Sequence, residues 1–273
     1  MHEKEIKLRN IIEGYGSLAL AWSGGVDSTY LAAFAHEVLG DKVLLLNARS
    51  ASFAEDEANF VEKFAKARGI PFKVVETHEL NIKEYAENPP NRCFFCKTEM
   101  YGTLKPIAEK AGVRIFADGA NIDDFKDFRP GHKAAEDHDI KHPLKDAGMN
   151  KQDIRRFSKE MDLPTWDKPA FACLASRFPY GEHLDEAKLR RVDKAEQVLR
   201  SLGFSKFRVR SHETLARIEF AEEEIEIGFE KRKIISDELK KLEYDWVSID
   251  LDGFRSGSMN VVLKSLNHKQ NGI

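Results

Sequence analysis

Three cysteines are the residues with the most chemical scope in this chain, and two of them, Cys93 and Cys96, stand in a C-x-x-C spacing just after Pro89-Pro90. Thiolates at that spacing serve zinc, iron–sulfur clusters or thiol–disulfide exchange. The third, Cys173, lies far downstream. With no fourth cysteine a closed zinc site of thiolates alone is excluded, and a mixed site would need a histidine such as His132 or His142. Three thiolates could instead hold three irons of a cubane and leave the fourth iron open to an external ligand. Three unrelated thiols that simply pack as small hydrophobes are the alternative. The odd count speaks against a disulfide framework and for a reducing compartment, so the expected location is the cytoplasm.

A second group lies near the start. Ser23-Gly24-Gly25-Val26-Asp27-Ser28 falls between an apolar run, LALAW, and a helical pattern, TYLAAFAHEVLG, that stops at Gly40. Glycines at a strand-to-helix turn let the backbone approach a ligand closely, and the first helical amides can hold phosphate oxygens. The loop is not a Walker A sequence, because it is shorter and lacks that motif's lysine. An ordinary βα turn is the competing reading.

These residues carry a resemblance. The SGGVDS loop is similar to the S-G-G-x-D-S loop of the PP-loop ATP pyrophosphatases, which cleave ATP to AMP and pyrophosphate. The resemblance implies that Ser23, Gly24, Gly25, Ser28 and the loop amides hold pyrophosphate and that Asp27 helps place Mg2+. KPAFACLASRFPYG around Cys173, DGANIDDFKDFRPG from Asp118 to Gly131, and Arg92-Cys93 to Lys97 resemble segments of the LarE-type sulfur transferases over almost the whole chain. That family implies adenylation of the carboxylates of pyridinium-3,5-biscarboxylic acid mononucleotide and their conversion to thiocarboxylates, in making the nickel-pincer nucleotide cofactor of lactate racemase. It also implies Gly119 at the ATP site and Asp124 at the substrate. Members with one cysteine give up its sulfur at the position of Cys173. This chain departs from them by adding Cys93 and Cys96, so the expectation is an oxygen-labile [4Fe–4S] cluster on Cys93, Cys96 and Cys173, fed by an external sulfide donor.

Arginines and carboxylates complete the candidates. Arg177 follows Cys173 by four positions, where its charge could neutralise a carboxylate or phosphate and lower a nearby thiol's pKa. Arg208 and Arg210 alternate along a predicted strand and so share a face, a geometry suited to forking a substrate phosphate. A solvated face pairing with an acidic helix is the bland alternative. Glu196 and Glu219 could approach each other and hold a divalent ion. Asp123, Asp124 and Asp127 follow a central strand and are expected at the ligand mouth. The histidines show no H-x-x-x-H spacing, and Phe94 and Phe95 are expected to pack rather than read a base.

The elements that must position these groups follow from periodicity. Runs at Leu18–Trp22, Val43–Asn47, Phe72–Thr77 and Val113–Gly119 read as buried strands separated by helical patterns, which predicts an α/β fold with a parallel sheet wrapped on both faces. A helix is expected after the double proline, another over Asn150–Met161, and an ordered loop from Leu163 to Gly181. A domain boundary is placed after Glu182, giving 1–182 and 183–273. The tail reads as a helix over Leu184–Leu202, strands KFRVRSH and LARIEF, an acidic helix over Glu222–Leu242, and strands WVSIDLDG and MNVVL, a small α+β unit expected to support a homo-oligomer.

Composition sets limits on partners. The chain has 273 residues, 43 Lys+Arg against 46 Asp+Glu, 42% hydrophobic residues and a net charge of −3. This is a globular profile without the positive excess of a long nucleic-acid footprint, so a PP-loop tRNA thiolase, the nearest rival enzyme, fits less well than a small-molecule enzyme. An amide-forming synthetase would leave the cysteines unexplained, and a non-catalytic AMP sensor has little need of Asp27. No run has the length of a membrane span, and MHEKEIKLRN lacks a signal-peptide core.

Overall fold

The computed structural model describes residues 2–126, 130–169 and 173–255. The chain divides into two compact units, one of Met1–Tyr85 with Pro90–Phe171 and one of Ala86–Pro89 with Ala172–Ile273. The sequence reading divides the chain at Glu182, which assigns Cys173 to the first domain; by contact it belongs to the second unit.

In the first unit the order is α1 (Glu3–Tyr15), β1 (Leu18–Ala21), α2 (Val26–Leu39), β2 (Val43–Arg49), α3 (Glu55–Arg68), β3 (Phe72–Glu76), the single turn α4 (Lys83–Ala86), α5 (Arg92–Lys110), β4 (Phe116–Ala117), α6 (Gly131–Asp137), α7 (Pro143–Asp146) and α8 (Lys151–Glu160). The strands form a parallel sheet in the order β3-β2-β1-β4. Alternation along the strands builds two cores. Leu18, Leu20, Val43 and Leu45 face a layer with Tyr30, Phe34, Phe64 and Phe157, while Ala19, Leu44 and Leu46 face Tyr101, Leu104 and Phe116. Burial on both faces is what makes these strands read as continuous apolar runs.

Strand β4 is shorter than the Val113–Gly119 run implies, because the Val113 amide is spent capping α5 on the Ala108 carbonyl. Lys141 bridges Ala117 in parallel and extends that side of the sheet. C-terminal ends of β1 and β4 therefore meet beside the loop at Ser23–Ser28, where ligands of open α/β sheets gather.

The second unit holds α9 (Glu186–Ser201), β5 (Phe207–His212), β6 (Leu215–Phe220), α10 (Ile225–Glu230), α11 (Arg232–Lys240) and β7 (Trp246–Ile249). Its sheet runs β5-β6-β7, antiparallel between the first two and parallel between the last two. The expected acidic helix is divided: a 3-10 turn at Glu222–Glu224 precedes α10, and α11 starts anew after Lys231. Gly228 permits this packing, since a Cβ there would sit 2.6 Å from the Phe220 ring. The predicted strand MNVVL and Asp127 lie outside the described residues. Among the described residues no helix is long and apolar enough to cross a membrane.

Candidate functional site

The loop between β1 and α2 has the shape of a ligand cradle. Gly24 takes φ +75°, and a Cβ on it would lie 2.6 Å from Val61 Cγ1, so both backbone conformation and the approach of α3 require glycine. The hydroxyls of Ser23 and Ser28 lie 3.1 Å apart across the loop, the Gly25 amide donates to Ser23 Oγ, and Ser28 donates to the Gly25 carbonyl. Val26 opens the helix, and amides at a helix start lack intrahelical acceptors. Gly119, just past β4, comes so near that a Cβ would stand 2.8 Å from the Ser28 amide nitrogen. Gly119→Ala is therefore expected to displace the loop backbone, with about 1–3 kcal/mol of destabilisation; thermal melting of the variant checks it.

Asp27 sits in the first turn of α2. Its Oδ2 accepts from Lys151 Nζ at 2.5 Å, while Oδ1 is buried with no protein partner. Burial, reinforced by Asp124, pushes its carboxyl upward against the pull of Lys151. An unsatisfied buried carboxylate oxygen beside a phosphate-type loop suits a divalent cation. Asp124 closes a capping box, accepting from the Asn121 amide, and Asp123 accepts from the Lys151 amide and Lys126.

Three cations reach this loop from far along the sequence. Lys151 comes from the first turn of α8. Lys168 Nζ donates to the Gly24 carbonyl at 3.2 Å and to Glu57 at 2.5 Å. Arg155 holds that segment in place by donating to the Trp166 and Lys168 carbonyls. Lys168 opens the KPAFACLASRFPYG segment, but the contact itself shows only in the packing of α8 against α2 and the bond from Lys168 to Gly24.

Cys93 and Cys96 are the second and fifth residues of α5, three apart and so on one helical face, with Cys93 exposed and Cys96 half-buried. Phe94 packs on the second core of the sheet. Of the two histidines that could complete a zinc site, His142 gives Nδ1 to Asp118 at 2.7 Å and His132 stacks on Phe125 at 4.2 Å. Among the described residues the grouping of potential ligands within metal-binding reach is His2, Glu5 and Glu160, which includes no cysteine. Asp118 also accepts from Tyr101 at 2.7 Å. Burial pushes the Asp118 carboxyl up, yet the bond from His142, the charge of Lys97 and Tyr101 outweigh it and bring it down to about 2.

In the second unit Cys173 caps a 3-10 turn, Leu174–Arg177. Arg177 is 3% exposed at its side chain and returns to this turn, donating to the Cys173 carbonyl at 3.2 Å and to Ser176 Oγ at 3.0 Å. The carboxylate that it engages is Glu196, through two bonds of 2.9 Å. Arg208 and Arg210 do share a face of β5. Arg210 binds the fully buried Glu219 and the Ser176 carbonyl, and Glu219 also meets Arg217, which reaches Asp250. Arg208 donates to the Phe207 carbonyl and lies over the Phe254 ring. Burial, aggravated by Arg177 and Arg210, brings its guanidinium down to about 10. Glu196 and Glu219, read from sequence as a cation pair, thus have guanidinium partners within one buried network of arginines.

No family model matches the chain. It is 35% identical over 247 residues to the pyridinium-3,5-bisthiocarboxylic acid mononucleotide synthase of Lactiplantibacillus plantarum, covering 90% of each chain. The chain belongs to the LarE family. An uncharacterised protein of Synechocystis sp. is 40% identical over 264 residues, 95% of this chain and 98% of its own. An uncharacterised protein of Methanocaldococcus jannaschii is 29% identical over 93% of this chain and 98% of its own. This LarE-family chain is thus matched along nearly its whole length, across both the loop unit and the arginine-rich unit.

Proposed function

We propose that this chain is an ATP-dependent sulfur transferase that converts the carboxylates of pyridinium-3,5-biscarboxylic acid mononucleotide to thiocarboxylates, in the route to the nickel-pincer nucleotide of lactate racemase. The observation that carries it is the 90% reciprocal coverage of a synthase named for the bisthiocarboxylic product. The chemistry explains the loop. A carboxylate oxygen is a poor leaving group, so it first attacks the α-phosphorus of ATP, the Pα–O–Pβ bond breaks, and pyrophosphate departs with the electron pair. A sulfur nucleophile then adds to the acyl carbon, and AMP leaves. Ser23, Gly24, Gly25, Ser28 and Gly119 form the cradle for the phosphates, and the orphaned Asp27 oxygen is suited to Mg2+.

The cluster reading rests on the donor chemistry: three thiols and no fourth, with Cys93 exposed and Cys96 half-buried on one face of α5. Cys93, Cys96 and Cys173 would hold it, and when bound it would supply a renewable sulfur source at the iron that no thiolate ligates. Arg208, desolvated between two other arginines, supports substrate phosphate binding, because an anion would relieve that repulsion. Arg208→Ala is expected to raise KM for the mononucleotide about tenfold or more while AMP formation at saturating substrate is largely kept; an unchanged KM rejects that role. We further place the protein in the cytoplasm as a homo-oligomer.

Incubation with ATP, Mg2+, sulfide and the biscarboxylic mononucleotide tests the whole reading. AMP and pyrophosphate should form with the sulfur-for-oxygen mass change in the substrate. Neither nucleotide cleavage nor mass change under anaerobic conditions would reject it.

A further inference from the structure

The loop at Ser23–Ser28 lacks the lysine that phosphate loops of the Walker type carry, yet pyrophosphate leaving from ATP concentrates negative charge there. The fold supplies the missing charge from a distance. Lys168 reaches back 144 positions to the Gly24 carbonyl, within the loop itself, and its other partner is Glu57, at the start of α3. The ammonium is held over the Phe60 ring at 4.2 Å and its side chain is 22% exposed, so it is directed rather than loose. Lys151, the other lysine at the loop, is committed differently: it neutralises Asp27, the carboxylate suited to the metal.

We propose that Lys168 is the residue that binds the leaving pyrophosphate, exchanging its contact with Glu57 for the β- and γ-phosphate oxygens of ATP. The proposal rests on the ATP-cleaving reading of the loop. Its chemistry requires no proton transfer from Lys168: the Pα–O bond to the attacking carboxylate forms, the Pα–O–Pβ bond breaks, and the charge left on the bridging oxygen falls beside a fixed cation. Because ammonium and carboxylate are 2.5 Å apart and both largely shielded, the resting pair keeps the cation at the loop when no nucleotide is bound. A triphosphate, with more charge than one carboxylate, competes for it. AMP, which lacks the β- and γ-phosphates, has no use for Lys168.

This division is what the test reads. Calorimetric titration with inorganic pyrophosphate and, separately, with AMP, both in Mg2+, is made on the wild type, Lys168→Ala and Glu57→Gln. Lys168→Ala is expected to lose about tenfold or more in pyrophosphate affinity and less than about twofold for AMP, since that nucleotide makes no contact with the lysine. Unchanged pyrophosphate affinity overturns the proposal. So does an equal loss for both ligands, which would make Lys168 a tether of the Gly24 carbonyl only. Glu57→Gln removes the competing carboxylate and is expected to raise pyrophosphate affinity a few-fold; no gain, or a loss, overturns the proposal even if Lys168→Ala fails to fold. A wild type that binds neither ligand removes the nucleotide reading of the loop and this role with it, whereas binding of both with no effect of either variant removes this role alone.

Discussion

Anaerobically purified wild-type protein is expected to carry about four irons and about four acid-labile sulfides per chain, with a brown chromophore that Cys93→Ala loses. Burial is the first reason. A cysteine retained only for packing is among the most buried of side chains, yet Cys93 is exposed and Cys96 half-buried near the start of α5. Their spacing puts both sulfurs on one face of the helix. The cluster assignment makes turnover independent of Cys173 sulfur, so its mass stays unchanged over many cycles. Absence of iron even after anaerobic reconstitution, together with loss of H2S from Cys173, would return the reaction to sacrifice of that residue and leave Cys93 and Cys96 with a structural or redox role.

Arg177→Ala is expected to destabilise the second unit. It strips both guanidinium bonds from Glu196, whose side chain is 3% exposed, and frees the turn that begins at Cys173. Glu196 keeps the Val209 amide at 3.2 Å and Arg200 at 3.9 Å, so the loss falls short of that for a wholly unpaired buried carboxylate and is about 2–3 kcal/mol, a fall in Tm of roughly 5–10 °C for a chain of this size. The pH dependence follows from the same pair. Burial works to raise the Glu196 carboxyl, but Arg177, aided by Arg208 and the Val209 amide, outweighs it and leaves it below its ordinary 4.5. A depressed carboxyl stabilises fully above that ordinary value and loses the contribution as pH falls from there through the lower value of the folded state. The wild type should therefore lose stability in acid more steeply than Arg177→Met/Glu196→Leu, in which this pair of charges is gone. Equal acid slopes in thermal melts, or a Tm for Arg177→Ala within a few degrees of wild type, would show that the pair does not support this unit.

The parallel sheet is legible in the sequence because its strands are buried on both faces and leave unbroken apolar runs at Leu18 and Val43. The loop is legible because SGGVDS needs no partner to be noticed. What the chain's order hides is pairing. Arg177 and Arg210 read as charges waiting for a ligand, since nothing in their neighbourhood of the chain names Glu196 or Glu219; only the packing of α9 and β6 brings those carboxylates to them. Lys151 escapes notice, and Lys168 stands at the head of KPAFACLASRFPYG with no role read for it, because their importance lies in reaching Asp27 and Gly24. The acidic stretch after Glu222 reads as one helix because its composition is uniform, while the structure divides it around Lys231 and packs Gly228 against Phe220.

The long reach of those two lysines also fixes an order of assembly. The loop backbone is complete by Ser28, but its cationic partners are synthesised 124 and 144 residues from the groups they bind. A nascent chain that has emerged only as far as β4 can build the central strands and the turn, yet its cradle has neither lysine. On the proposed nucleotide reading, binding at the loop is a late event in biosynthesis, arriving only when α8 and the segment through Lys168 have docked, and contacts so distant in sequence are slow to form. Competence of the loop would then report that the first unit has folded through to its end.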